Sequence, residues 1–86
     1  MKDEEVFGIL LKNLRKKKSI SQEKLAEKTG LNRIFISLIE TGKRNPTLTT
    51  ICKISQGLDI KASELLKLYE EKVAEIRTQK DNEDAN

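Results

Sequence analysis

The sequence predicts an all-α protein, a compact five-helix bundle with an extended C-terminal helix. Three observations carry that expectation. Apolar residues recur three and four apart, and few β-branched runs alternate with period two. Ser21, Asn32 and Thr47 stand where helices should start, and Gly30 and Gly42 where they should stop. Finally, 86 residues that are 36% apolar and 36% charged suffice for one small core and not for a second.

The first helix is expected from Asp3 or Glu4 to Lys17, because an acidic first turn and a basic last turn both suit the helix dipole. Val6, Leu10 and Leu14, with Phe7 and Leu11, mark its buried face. Gly8 inside it weakens an isolated helix by about 1 kcal/mol relative to alanine. Ser21 caps the second helix, although Lys24 three residues on does not complete a capping box. That helix runs to Thr29 with Leu25 and Ala26 inward, and Gly30 supplies a left-handed turn. Asn32 caps the third helix, which reaches Thr41 and ends at Gly42. After a polar loop, Lys43 to Pro46, Thr47 caps the fourth helix. Leu48, Ile51, Cys52, Ser55 and Leu58 are expected on one face of it, with Gly57 helping to end it. The fifth helix begins near Lys61–Ser63 and runs to Thr78, and the polar tail at 79–86 is expected to be disordered.

Composition excludes several classes. With one Cys and no His, an internal disulfide is impossible and a metal site would need carboxylates alone. Cys52 is expected to be a buried structural thiol. No apolar run approaches the roughly 18 residues of a membrane span. The opening MKDEEV is acidic where a signal peptide would be basic, so a cytoplasmic location is expected. No nucleophile–base pair and no phosphate-cradling glycine loop is visible, which argues against an enzyme. No cofactor, metal or small-molecule ligand is expected.

The net charge of +3 is unevenly spread. Residues 12–44 hold ten Lys/Arg against three Glu, whereas residues 61–86 hold five against seven Asp/Glu. Such asymmetry suits a polyanion partner at one end. Lys12 and Lys16 to Lys18 are read as a solvated helix terminus, and Lys24 and Lys28 as solvent-facing. Leu25, Ala26, Gly30, Leu31, Ile36 and Ile39 occupy the positions that pack or turn a pair of helices. Removing them leaves Asn32, Arg33, Ile34, Ser37 and Thr41 outward, with Phe35 and Leu38 at the margins. The pair is a helix-turn-helix whose second helix is free to enter a major groove.

Gln22-Glu23-x-Leu25-Ala26, Gly30, Ile36 and the run IETGKRNP resemble the Cro/repressor-type helix-turn-helix family of bacterial and phage regulators. The resemblance covers residues 8–66 and implies a lambda-repressor-like DNA-binding domain over residues 1–66, with the motif at 22–41. The run GLNRIFIS further resembles the small controller proteins of restriction–modification systems. By this resemblance, Arg33 reads bases, flanked by Asn32 and Ile34, and Ser37 one turn later reaches a base edge or a phosphate. Gln22, with Ser21 beside it, grips a phosphate. Thr41, Lys43, Arg44 and Asn45 follow the DNA backbone. Arg15 and Glu40 match a structural salt bridge. Most family members carry a polar residue where Ile34 stands. Phe35 has two roles open to it: packing on the sugar–phosphate edge, or folding back onto the second or fourth helix.

Leu66, Tyr69, Val73 and Ile76 form a short a/d stripe on the fifth helix. The expected cover is the same helix of a second subunit, making residues 67–78 a dimerisation extension; packing back on the first helix is the alternative. A two-fold dimer sets recognition helices about 34 Å apart, one duplex turn. The expected function is a sequence-specific double-stranded-DNA-binding transcriptional regulator, a homodimer on an inverted-repeat operator, with RNA polymerase a candidate partner. A restriction–modification controller and an antitoxin-type autoregulator are variants of it. A protein-interaction module that no longer binds DNA is the competing class.

Overall fold

The computed structural model describes residues 1–84, and among them there are five α-helices and no strand: α1 Asp3–Lys17, α2 Gln22–Thr29, α3 Arg33–Glu40, α4 Leu48–Gly57 and α5 Ala62–Asp84. Caps set the starts. The hydroxyl of Ser21 accepts from the Lys24 N–H at 3.0 Å, and that of Thr47 accepts from the Thr50 N–H at 3.2 Å. Gly30 and Gly42 follow α2 and α3 at φ +75° and +74°, a region that costs glycine nothing.

Leu11, Leu25, Ile36, Ile39, Ile54, Leu58 and Leu65 are fully buried, so every helix contributes to one core. α1 crosses the end of α3 so closely that Gly8 lies against the carbonyls of Ile39 and Glu40. At this contact a glycine that weakens α1 locally becomes the condition for helix crossing. Gly57, the last residue of α4, likewise faces Thr29 and Leu25 of α2, so its role is close approach as much as termination.

One expectation about packing needs correction. On α4 the buried side is Thr50, Ile54 and Ser55, leading into Leu58, while Leu48 is 72% exposed and Cys52 is at the surface. The sequence holds two overlapping stripes here, and the less apolar one faces inward. Thr50 fits because its hydroxyl pairs with that of Thr47 at 3.0 Å. Ile54 then falls on the core side, about 200° around the helix from Cys52 at 100° per residue.

On α5, Leu65 is the buried anchor and Tyr69 packs at the edge of the protein's own core, its ring tilted 54° against Phe7 at 6.3 Å between centroids. Val73 and Ile76 are half-buried beside Met1, Asp3 and Val6. The first turn of α1 borders the same crevice of about 190 Å³. Leu66 remains on the surface. α5 also continues past Thr78 to Asp84, through residues expected to be disordered; Ala85 and Asn86 lie outside the described residues. At 23 residues α5 spans about 34 Å at 1.5 Å per residue and is the longest of the five described helices.

Candidate nucleic-acid interface

The turn between α2 and α3 is clamped locally. Thr29 Oγ1 donates to the Leu25 carbonyl at 2.7 Å and accepts from the Leu31 N–H at 3.2 Å, bridging the helix end to the turn. A Cβ at Gly30 would meet nothing within 4 Å, so positive φ and not space selects glycine there. Asn32 Oδ1 accepts from the Ile34 N–H at 2.7 Å, capping α3. Ile36 and Ile39 then hold α3 down at zero exposure.

That anchoring sets the solvent face of α3. Asn32, Arg33 and Ile34 are exposed, Ile34 by 61%, and Ser37 is half-buried one turn on. Thr41 is exposed, and its hydroxyl donates back to the Ser37 carbonyl at 3.0 Å. Lys43, Arg44 and Asn45 are exposed in the following loop, which is pinned by the Lys43 and Arg44 N–H groups on the Leu38 carbonyl. Phe35 is half-buried and packed on the core.

Beneath this surface lies a polar network. Arg15 Nε donates to Glu40 Oε2 at 2.7 Å and Nη2 to Oε1 at 2.9 Å, a bidentate pair with side chains 10% and 3% exposed. Arg15 Nη1 donates to the Ile20 carbonyl at 3.0 Å, tying the network to the link before α2. The Glu40 hydrogen bond raises the Arg15 pKa above its ordinary value, against the opposing effect of burial. Glu40 Oε1 also accepts from Gln22 Nε2 at 3.0 Å. The Gln22 amide is thus committed inward, and only part of it remains for the phosphate-gripping role. Its oxygen faces Arg33 Nη1 at 3.4 Å, and Glu23 Oε1 lies 3.8 Å from Arg33 Nε. Glu23 and Thr29 escape a reading of sequence alone, since neither belongs to the outward face of α3.

Gln22, Glu23 and Arg33 are thus brought together across the turn between α2 and α3, Ser21 caps the start of α2, and the loop after α3 is tied to Leu38, whereas Tyr69 packs on Phe7 of α1. Among the described residues no group of three or more Cys, Asp or Glu is placed to hold a metal ion, and no helix is long and apolar enough to cross a membrane.

A family model described as helix-turn-helix matches residues 11–65. The chain belongs to the helix-turn-helix family of transcriptional regulators. As a helix-turn-helix regulator it is a DNA-binding protein and not an enzyme. It is 52% identical over 60 residues to the control protein C.MunI of a Mycoplasma species, covering 69% of this chain and 81% of that one. The restriction–modification controller C.AhdI from Aeromonas hydrophila superposes with a TM-score of 0.70 at 43% identity, over 73% of this chain and 96% of that one. The controller C.Esp1396I, solved as a tetramer with its natural 35 base-pair operator, gives 0.80 at 27% identity, over 86% of this chain and 97% of that one.

Proposed function

We propose that this helix-turn-helix regulator is a controller of a restriction–modification operon. In this reading it binds an inverted-repeat operator as a homodimer in the cytoplasm and presents or withholds the promoter to RNA polymerase. One observation carries the DNA-reading half: Arg33 opens α3 on an exposed face and is steadied from below by Gln22 and the buried Arg15–Glu40 pair. A guanidinium so held meets guanine O6 and N7 in bidentate fashion, worth about 1–3 kcal/mol of discrimination. Ile34, exposed beside it, suits a thymine methyl. The unpaired N–H groups at the start of α2, and Lys43 and Arg44, supply the phosphate contacts. Likeness to control proteins over most of the chain supports the pathway.

The dimer face in this proposal includes Leu66. Beside it a crevice of about 110 Å³ is lined by Phe7, Asn45, Pro46, Ile51 and Tyr69. That volume is below the 300 Å³ or more of a usual small-molecule site, and suits one inserted side chain. Leu66→Asp is expected to give a folded monomer by analytical ultracentrifugation; an unchanged dimer rejects this face.

The test of DNA reading is binding as a function of salt to duplexes enriched from a randomised pool. Six to ten phosphate contacts per dimer give a slope of log K against log salt of about −5 to −9. Arg33→Ala is expected to remove discrimination between sites, and Gln22→Ala to weaken all sites. Equal loss of specific and non-specific binding in Arg33→Ala would reject its base-reading role.

A further inference from the structure

The contacts of Arg33 assign work to a neighbour as well, on the footing that Arg33 reads a base as proposed above. Its guanidinium carries five N–H groups, and guanine can be gripped with either the Nη1–Nη2 edge or the Nε–Nη2 edge. Glu23 Oε1 stands 3.8 Å from Nε, and Gln22 Oε1 stands 3.4 Å from Nη1, which keeps a second N–H. Gln22 cannot turn its oxygen elsewhere without losing the 3.0 Å bond from its Nε2 to Glu40. Glu23 therefore engages the Nε side of the guanidinium, and Nη2 with the second N–H of Nη1 carries no contact among the described residues.

Glu23 is an expensive residue in this place. It lies in the first turn of α2, beside N–H groups that would otherwise attract phosphate, and its charge repels the backbone the face must approach. Its side chain is 71% exposed, and its one ion pair among the described residues is with Arg33. A favourable interaction with the dipole of α2 accounts for an acid here as a matter of stability. It does not account for the choice of Arg33 as partner.

We propose that Glu23 is a specificity-determining residue acting through Arg33. It aligns the arginine for guanine and opposes its alternative, a swing onto a phosphate. At a site with guanine, Arg33 keeps Glu23 and gains two base hydrogen bonds. At a site without it, the arginine must either stay unpaired at its outer edge or abandon Glu23 for the backbone. Removing the carboxylate lowers the cost of that escape, so wrong sites gain more than right ones.

The experiment uses the full chain as wild type, Glu23→Gln, Arg33→Ala and the double variant. Probes are duplexes enriched by the wild type from a randomised pool, and the same duplexes with each G·C pair in turn changed to A·T. The wild type should lose at least about fivefold in affinity at the guanine read by Arg33. Glu23→Gln should bind every duplex more tightly, yet discriminate about two- to fivefold less at that one position, the size of an exposed ion pair. In the Arg33→Ala background the same change should raise all affinities by one common factor. A uniform gain for Glu23→Gln in the wild-type background would overturn the proposal, leaving only long-range charge. So would an equal loss of discrimination with and without Arg33. If the wild type enriches no sequence, or Arg33→Ala discriminates fully, the base-reading role of Arg33 falls and this inference with it. The melting temperature of Glu23→Gln reports the dipole effect separately.

Discussion

Replacing Gly8 with alanine sets helix propensity against packing in a single methyl group. In an isolated helix the change stabilises by about 1 kcal/mol, because glycine surrenders more backbone freedom than alanine. Here a Cβ at position 8 would stand 2.4 Å from the Ile39 carbonyl oxygen and 2.7 Å from that of Glu40. Ordinary contact begins at 3.4 Å, so α1 and α3 must separate by about 1 Å. The obstructing atoms are backbone near the end of a helix and cannot swing aside as a side-chain tip would. Overfilling a packed core costs about 1–3 kcal/mol. The same separation stretches the Arg15–Glu40 bonds, now 2.7 and 2.9 Å. After the propensity gain is set against these, we expect Gly8→Ala to destabilise by about 1–2 kcal/mol. With a urea m-value of about 1 kcal/mol/M for a domain this small, the far-UV circular dichroism midpoint should fall by about 1–2 M. A midpoint that rises would refute the contact between α1 and α3, and with it the support of Glu40 beneath Gln22 and Arg33.

Glu40→Ala leaves the Arg15 guanidinium buried without its partner and should cost about 3–5 kcal/mol, whereas Arg15→Met with Glu40→Leu should recover most of that; equal losses in urea melts would contradict the desolvation argument. Burial first, and then Asp3, hold the Tyr69 phenol above its ordinary pKa of 10.0. A raised acid favours the neutral form in the folded state, so this stabilisation is complete below about pH 10 and is lost as pH rises through the raised value. Tyr69→Phe should therefore lose less stability than wild type between about pH 9 and pH 11, and parallel losses would reject the assignment. Because Cys52 is exposed, its thiol should react with a disulfide reagent in the native protein as fast as in urea, and Cys52→Ser should shift stability by less than about 0.5 kcal/mol. Protection in the native state would return the thiol to the core.

The helix starts and stops are legible because their chemistry is local. Ser21, Asn32 and Thr47 each place a side-chain oxygen on an N–H two or three residues ahead, and no distant contact is needed to do so. The side of α4 that packs is a different matter. Leu48 and Cys52 form as good an apolar stripe as Thr50 and Ile54, and a Thr–Thr hydrogen bond with no signature in hydropathy accompanies the inward choice. On α5, Tyr69, Val73 and Ile76 have the spacing of a dimer seam, but spacing cannot reveal that Phe7, Val6 and Met1 stand within reach.

The candidate site divides along the same line. The outward set of Asn32, Arg33 and Ile34 follows from periodicity once Ile36 and Ile39 are assigned to the core. That Gln22 turns inward to Glu40, and that Glu23 meets Arg33, are through-space facts between helices. The linear chain suffices for the five helices, the helix-turn-helix and the charge that favours a polyanion, since propensity, capping and periodicity act within a few residues. Folding in three dimensions was needed to select which glycine permits a crossing, which stripe is buried, and which acid stands beside Arg33. Those outcomes depend on side chains brought together across tens of residues, where contact geometry prevails over local preference.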